Sequence, residues 1–226
     1  MGLGRHLWAV ARKDLRVEAR SREIVATVGF FAALIVAVMA FAFEHDRRFA
    51  RTAAPGLLWT ALAFGGVLGI GRAFDRERDG DTMRALLLSP APRLGIFLGK
   101  AVTIALMVMG VGVVCVPLVG LFLSVDLFEY PLRLVAAVAL GAIGIAIVGT
   151  VFAAALLKVR ARDVLLPIIA FPLLIPLLVA GTRVVAALLG NNSAPADATF
   201  WLGFMAMFDG VFLIVSLWVF EAVVID

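Results

Sequence analysis

Charge is scarce in this chain. Only 16% of its 226 residues are Asp, Glu, Lys or Arg, against about 25% in a soluble domain. A mean hydropathy of +1.08 and 63% hydrophobic residues exceed what a soluble core of this size could hide, so the chain falls in the helical membrane class. None of its apolar runs alternates with polar residues, which excludes a membrane β-barrel. Cysteine is nearly missing: Cys115 stands alone in an apolar run, so neither an internal disulfide nor a CxxC site can form. Histidine is limited to His6 and His45, expected on opposite sides of the membrane, which rules out a histidine dyad or a two-histidine metal site. HExxH and CxxCH are absent, as is any intramembrane cluster of His, Asp and Ser. The chain has no catalytic residues to assign and reads as no enzyme. The stretch GIFLGKA (Gly95–Ala101) superficially resembles a phosphate loop. Its glycines are one residue too close, and Ala101 follows the lysine where Walker A needs Ser or Thr. Any ATPase driving this chain is therefore a separate polypeptide. The net charge of +4 and pI near 10.0 reflect basic residues at membrane ends and call for no nucleic-acid partner.

What is present is a set of six apolar runs: 24–43, 53–71, 101–125, 134–157, 164–189 and 200–225. Each is long enough to cross a hydrocarbon core of about 30 Å as a helix. Lys and Arg favour segments 1–23, 72–100 and 158–163 over the alternate loops, fifteen to five. The positive-inside rule then places both termini in the cytoplasm of a multi-pass protein. Ala40-Phe41-Ala42 offers a cleavage-like pattern, but the basic region before it and the apolar run are both too long for a signal peptide. The chain reads as all-α, one transmembrane domain over 1–226, with 1–23 as an interfacial arm and 72–92 as a cytoplasmic segment.

In the arm, Leu3, Leu7, Val10 and Val17 share one helical face, and Arg5, Arg12, Arg16 and Arg20 share the other. This is the pattern of a helix lying on an anionic bilayer surface. Asp14 and Glu18 fall on the apolar side and call for Arg partners on a neighbouring element. Gly65 and Gly69, and Ala137, Gly141 and Gly149, mark faces where helices can approach closely. Pro167, Pro172 and Pro176 crowd one span, which is expected to be kinked or partly broken. Arg183, Asp209 and Glu221 lie within spans, where a charge must face protein or water. From their depths alone, Arg183 and Asp209 are expected to form an ion pair, with a cavity or substrate role as the alternative. Glu221, near the cytoplasmic end, reads as a snorkelling or docking charge.

The densest charge lies between two apolar runs. Arg72–Arg84 holds eight charged residues in thirteen, four Arg balancing four acids. Net neutrality weakens bulk attraction to anionic lipid and favours a complementary protein surface. Phe74, Met83, Leu86 and Leu87 are the expected apolar anchors of that contact. Asp75, Glu77, Arg78 and Arg84 are its charges.

The stretch ERDGDTMRALLLSP (Glu77–Pro90) resembles the cytoplasmic coupling stretch of ABC-type exporter permeases, usually written ER-x-x-G-T-x-E-x-L-L-x-S-P. Asp81 stands where that pattern has Gly, and Arg84 where it has Glu. APGLLW (Ala54–Trp59) and FPLLIPLL (Phe171–Leu178) resemble the CcmB, heme exporter protein B, family of cytochrome c maturation, over about residues 5 to 190. The resemblance implies a bacterial inner-membrane permease subunit with an ABC exporter-like fold. Its implied partners are a CcmA-like ATPase dimer, CcmC- and CcmD-like membrane subunits, a CcmE-like heme chaperone and a second copy of itself. ATP would bind the ATPase and heme would be cargo of the complex, with no cofactor or metal held by this chain. His45 is the only histidine expected outside, and seven Met are scattered in apolar runs. That is a poor set of axial ligands and favours force transmission over heme conduction. The charged segment alone would equally suit a general lipid or drug exporter, or a membrane scaffold without transport.

Overall fold

The computed structural model describes residues 3–21, 23–42, 47–79, 93–156, 159, 161–191 and 195–223. Among them are seven helices and no strand: α1 (Leu3–Ser21), α2 (Glu23–Ala42), α3 (Arg47–Asp79), α4 (Arg93–Leu123), α5 (Pro131–Ala155), α6 (Arg162–Leu188) and α7 (Pro195–Val223). The five from α3 to α7 are long and apolar enough to cross a membrane. In α2 the described apolar stretch, Ala26–Ala42, is shorter. The all-helical, multi-pass architecture is as expected.

Helix α5 is the axis of the bundle, packed by α3, α4, α6 and α7. Every residue from Gly144 to Val151 is buried. Outer helices leave large apolar side chains exposed, among them Phe30, Leu121, Ile168, Ile214 and Trp218. In water such a surface would aggregate, whereas in a bilayer it meets acyl chains. α3 has 33 residues, about 50 Å at 1.5 Å per residue, and so projects well beyond a hydrocarbon core. We call the end of the bundle holding the α3 N-terminus and the α6 C-terminus distal, and the end holding α1 proximal.

The distal end is fastened by an exchange of backbone partners. Pro55 lies inside α3 and has no N–H for the carbonyl of Arg51, four residues back. Asn191 donates its Nδ2 amide to that oxygen instead, at 2.9 Å. The Arg51 guanidinium in turn donates to the Leu189 carbonyl, one of the orphan acceptors at the end of α6. Gly190, at φ +67°, supplies the left-handed residue that ends α6, and the Asn191 N–H returns to the Ala186 carbonyl at 2.9 Å.

Pro167, Pro172 and Pro176 all lie inside α6, which runs as one helix through all three, so of a kink and a partial break the second does not occur. Its buried stripe runs Leu166, Ala170, Leu174, Leu177, Gly181, Val184 and Leu188, while Pro172 and Pro176 stand exposed on the opposite side. Packing of that stripe against α3, α5 and α7 holds the helix together across the missing N–H groups.

Candidate functional site

Three places gather the residues that could carry function. The first is proximal. The α1 face turned to the protein carries Leu7, Val10, Ala11, Asp14 and Glu18, whereas Arg5, Arg12, Arg16 and Arg20 are exposed. Val17, expected with the apolar face, is exposed as well. α1 comes so close to α4 that a Cβ on Gly99 would lie 2.9 Å from the Leu7 carbonyl oxygen and 2.8 Å from Val10 Cβ. Asp14 does pair with a neighbouring element, but its base is Lys100 of α4, not an arginine. The Nζ–Oδ2 distance is 2.7 Å, and the contact is ionic rather than an aligned hydrogen bond. Lys13 flanks the same carboxylate at 3.0 Å. Lys100 is only 3% exposed, and its ammonium lies 5.7 Å from the centre of the Phe74 ring. The lysine of the phosphate-loop-like stretch is thus sealed between helices.

The second place is the charged segment. Its first part is not a separate element: Phe74, Asp75, Glu77 and Arg78 lie on the last turns of α3. Phe74, expected to anchor a partner, is 1% exposed and belongs to the core. It continues the buried α3 stripe of Trp59, Leu62, Gly66 and Ile70 at helical spacing, so it is not available for docking. Met83, Arg84, Leu86 and Leu87 lie outside the described residues.

The third place is distal. Trp59 is 1% exposed and its indole is slotted between two helices at glycines. A Cβ on Gly141 of α5 would fall 2.3 Å from Cζ3, and one on Gly181 of α6 would fall 2.2 Å from Cε2. The indole N–H has no hydrogen-bond partner. Beside this slot, α3 and α6 frame a groove of about 460 Å³ lined by Gly56, Trp59, Thr60, Leu178, Thr182 and Arg183, among others. One turn further toward the proximal end, Phe64 and Phe171 meet with ring centres 4.8 Å apart. The stretches Ala54–Trp59 and Phe171–Leu178, distant in sequence, therefore face each other.

Arg183 and Asp209 do not pair. Arg183 is exposed in the groove. Asp209 is buried beside Gly144 and Leu177, and neither of its carboxylate oxygens has a hydrogen-bond partner. Leu177 marks the face of α6 that meets Asp209. Arg183 is six residues on, rotated by about 120° and raised by about 9 Å. Counting residues placed the two within about 5 Å in depth; the structure separates them in azimuth and by more depth than that. Of the small-residue positions, Gly65 meets Val28 and Val111, and Gly149 admits the Ile70 side chain. Among the described residues, no group of three or more His, Cys, Asp or Glu could hold a metal ion.

The arrangement is a bundle with α3 running into the charged segment on one side and an apolar groove near the other. The family model described as CcmB protein matches residues 5–224, nearly the whole chain. The chain belongs to the CcmB family. It is also 27% identical over 184 residues to heme exporter protein B of Pseudomonas aeruginosa, a match covering 79% of each chain. The two stretches that carried the CcmB resemblance are thus the walls of the α3–α6 groove, and the third continues from the end of α3.

Proposed function

We propose that this CcmB-family chain is the permease subunit of an ABC-type complex for heme handling in cytochrome c maturation. A separate CcmA-like ATPase dimer would dock on the charged segment 75–92. Motion there would reach the membrane domain and release a heme-loaded CcmE-like chaperone, alongside CcmC- and CcmD-like subunits and a second copy of this chain. The observation that carries this reading is the continuity of α3: one helix runs from the slotted Trp59 through Phe74 into the charged segment. A helix is stiff along its axis, so a load applied at Glu77 is felt at Trp59 without an intervening loop. Burial of Phe74 supports the same role differently from first expected, by fixing the base of the segment to the core. The sequence favours transmission: it holds no Walker A, HExxH or CxxCH motif, and heme ligands are sparse. The family resemblance and the excess of basic residues on alternate loops support an inner-membrane location with both termini cytoplasmic, six spans and α1 on the membrane surface.

The test is the double substitution Glu77→Lys with Arg78→Glu, which reverses local charge and leaves the spans untouched. Membrane insertion should stay normal, while co-purification of the ATPase and release of the heme chaperone should both fall. Normal values for both in the double variant would show that the segment is not the coupling element.

A further inference from the structure

We propose that the α3–α6 groove is a binding site for one anionic phospholipid, its phosphate on Arg183 and an acyl chain lying along α6 from Val179 to Ile175. Arg183 is exposed, and no ion pair or hydrogen bond occupies its guanidinium among the described residues. It lies five residues before the end of α6, about 8 Å along the axis, where a bare charge next to acyl chains is costly. A phosphate supplies the bidentate acceptor that a guanidinium fits. Thr60 and Thr182 stand beside it. The Thr182 hydroxyl already donates to the Leu178 carbonyl at 2.8 Å, so Arg183 carries the headgroup contact.

The remainder of the groove argues against a free phosphate ion. Ile175 and Val179 are both exposed and continue the apolar wall for eight residues, about 12 Å, away from Arg183. A soluble anion would leave that wall uncovered, whereas a molecule with a charged head and a long apolar tail matches both halves. The volume of about 460 Å³ lies in the range of roughly 300–1,000 Å³ typical of ligand sites. The floor is rigid, because Trp59 is locked between Gly141 and Gly181, so the site is formed before the ligand arrives.

The experiment uses the full chain, purified in detergent and titrated with phosphatidylglycerol or phosphatidylcholine of identical acyl chains, with native mass spectrometry counting retained lipid. Phosphatidylglycerol should be retained in preference. Arg183→Gln should reduce that preference about tenfold, the size expected for one charge-assisted contact, and Arg183→Lys should restore part of it. A second variant separates head from tail. A Cβ on Gly56 meets nothing within 4 Å, so Gly56→Leu fills the groove without disturbing the core and should lower retention of both lipids alike. Glycerol phosphate, a headgroup without a tail, should not compete. Equal retention of the two lipids by the unsubstituted chain, an unchanged preference in Arg183→Gln, or effective competition by glycerol phosphate would each overturn the proposal.

Discussion

A lysine ammonium sealed between helices is tolerated only with a partner, and Lys100 has one in Asp14 across the α1–α4 contact. Removing one member of a buried pair leaves the other charge uncompensated, typically at about 3–5 kcal/mol. Asp14→Ala should therefore lower the unfolding temperature in detergent clearly. Lys13→Ala, at a side chain 42% exposed, should hardly change it. Asp14→Leu combined with Lys100→Met, which removes both charges, should regain most of the loss. A double variant no better than Asp14→Ala would mean that α1 is held by its apolar contacts and not by this pair. Little of this could be read from residue types. The sequence signals that an acid on an apolar face needs a base, but Lys100 sits in a stretch whose glycines suggest a phosphate loop. Phe74 shows the same difficulty from the other side. Charged neighbours make it look like an exposed anchor, yet its spacing from Ile70 and Gly66 continues the buried stripe.

At the scale of elements, α3 and α6 hold each other through the orphan groups that a proline and a helix end create. A double-mutant cycle tests this exchange of partners. Asn191→Ala should cost about 1 kcal/mol, the net value of a typical hydrogen bond. In a Pro55→Ala background the helix can make its own bond to the Arg51 carbonyl, so the same substitution should cost much less. Equal losses in both backgrounds would show that Asn191 does not stand in for the missing proline N–H. Element positions were legible in the sequence because apolar runs of helical length have few alternatives in a membrane. Azimuth was not. Depth along a helix follows from counting residues, but the pairing of Arg183 with Asp209 also needed the direction each side chain faces. The proline-rich helix carries the same lesson. Three prolines remove three backbone donors wherever they face, and the packing of the opposite stripe on α3, α5 and α7 that holds the helix together cannot be counted from them.

For the whole molecule, the decisive question is which end faces the cytoplasm. On the orientation proposed from the excess of basic residues on alternate loops, α1 and the charged segment would lie inside. A reporter placed at Gly80 and one after Asp226 should both read as cytoplasmic, while one at Asn192 should read as external. An external signal at Gly80 would reverse the arrangement and remove the docking segment from the reach of any cytoplasmic ATPase. The membrane class, the all-helical architecture and the CcmB relationship were all visible in composition and three short motifs. That two of those motifs form opposite walls of one groove was not, because nothing local in either stretch names its partner.

The buried stripe of α3 also has a mechanical consequence. From Trp59 through Leu62, Gly66 and Ile70 to Phe74, one face of the helix is seated in the core over fifteen residues, about 22 Å. A rod seated along that length does not pivot at a single point. Under the coupling proposed above, a load at Asp79 would therefore travel to Arg51 along the axis and not as a sideways swing, and the distal clasp on the Arg51 carbonyl would feel it as a pull.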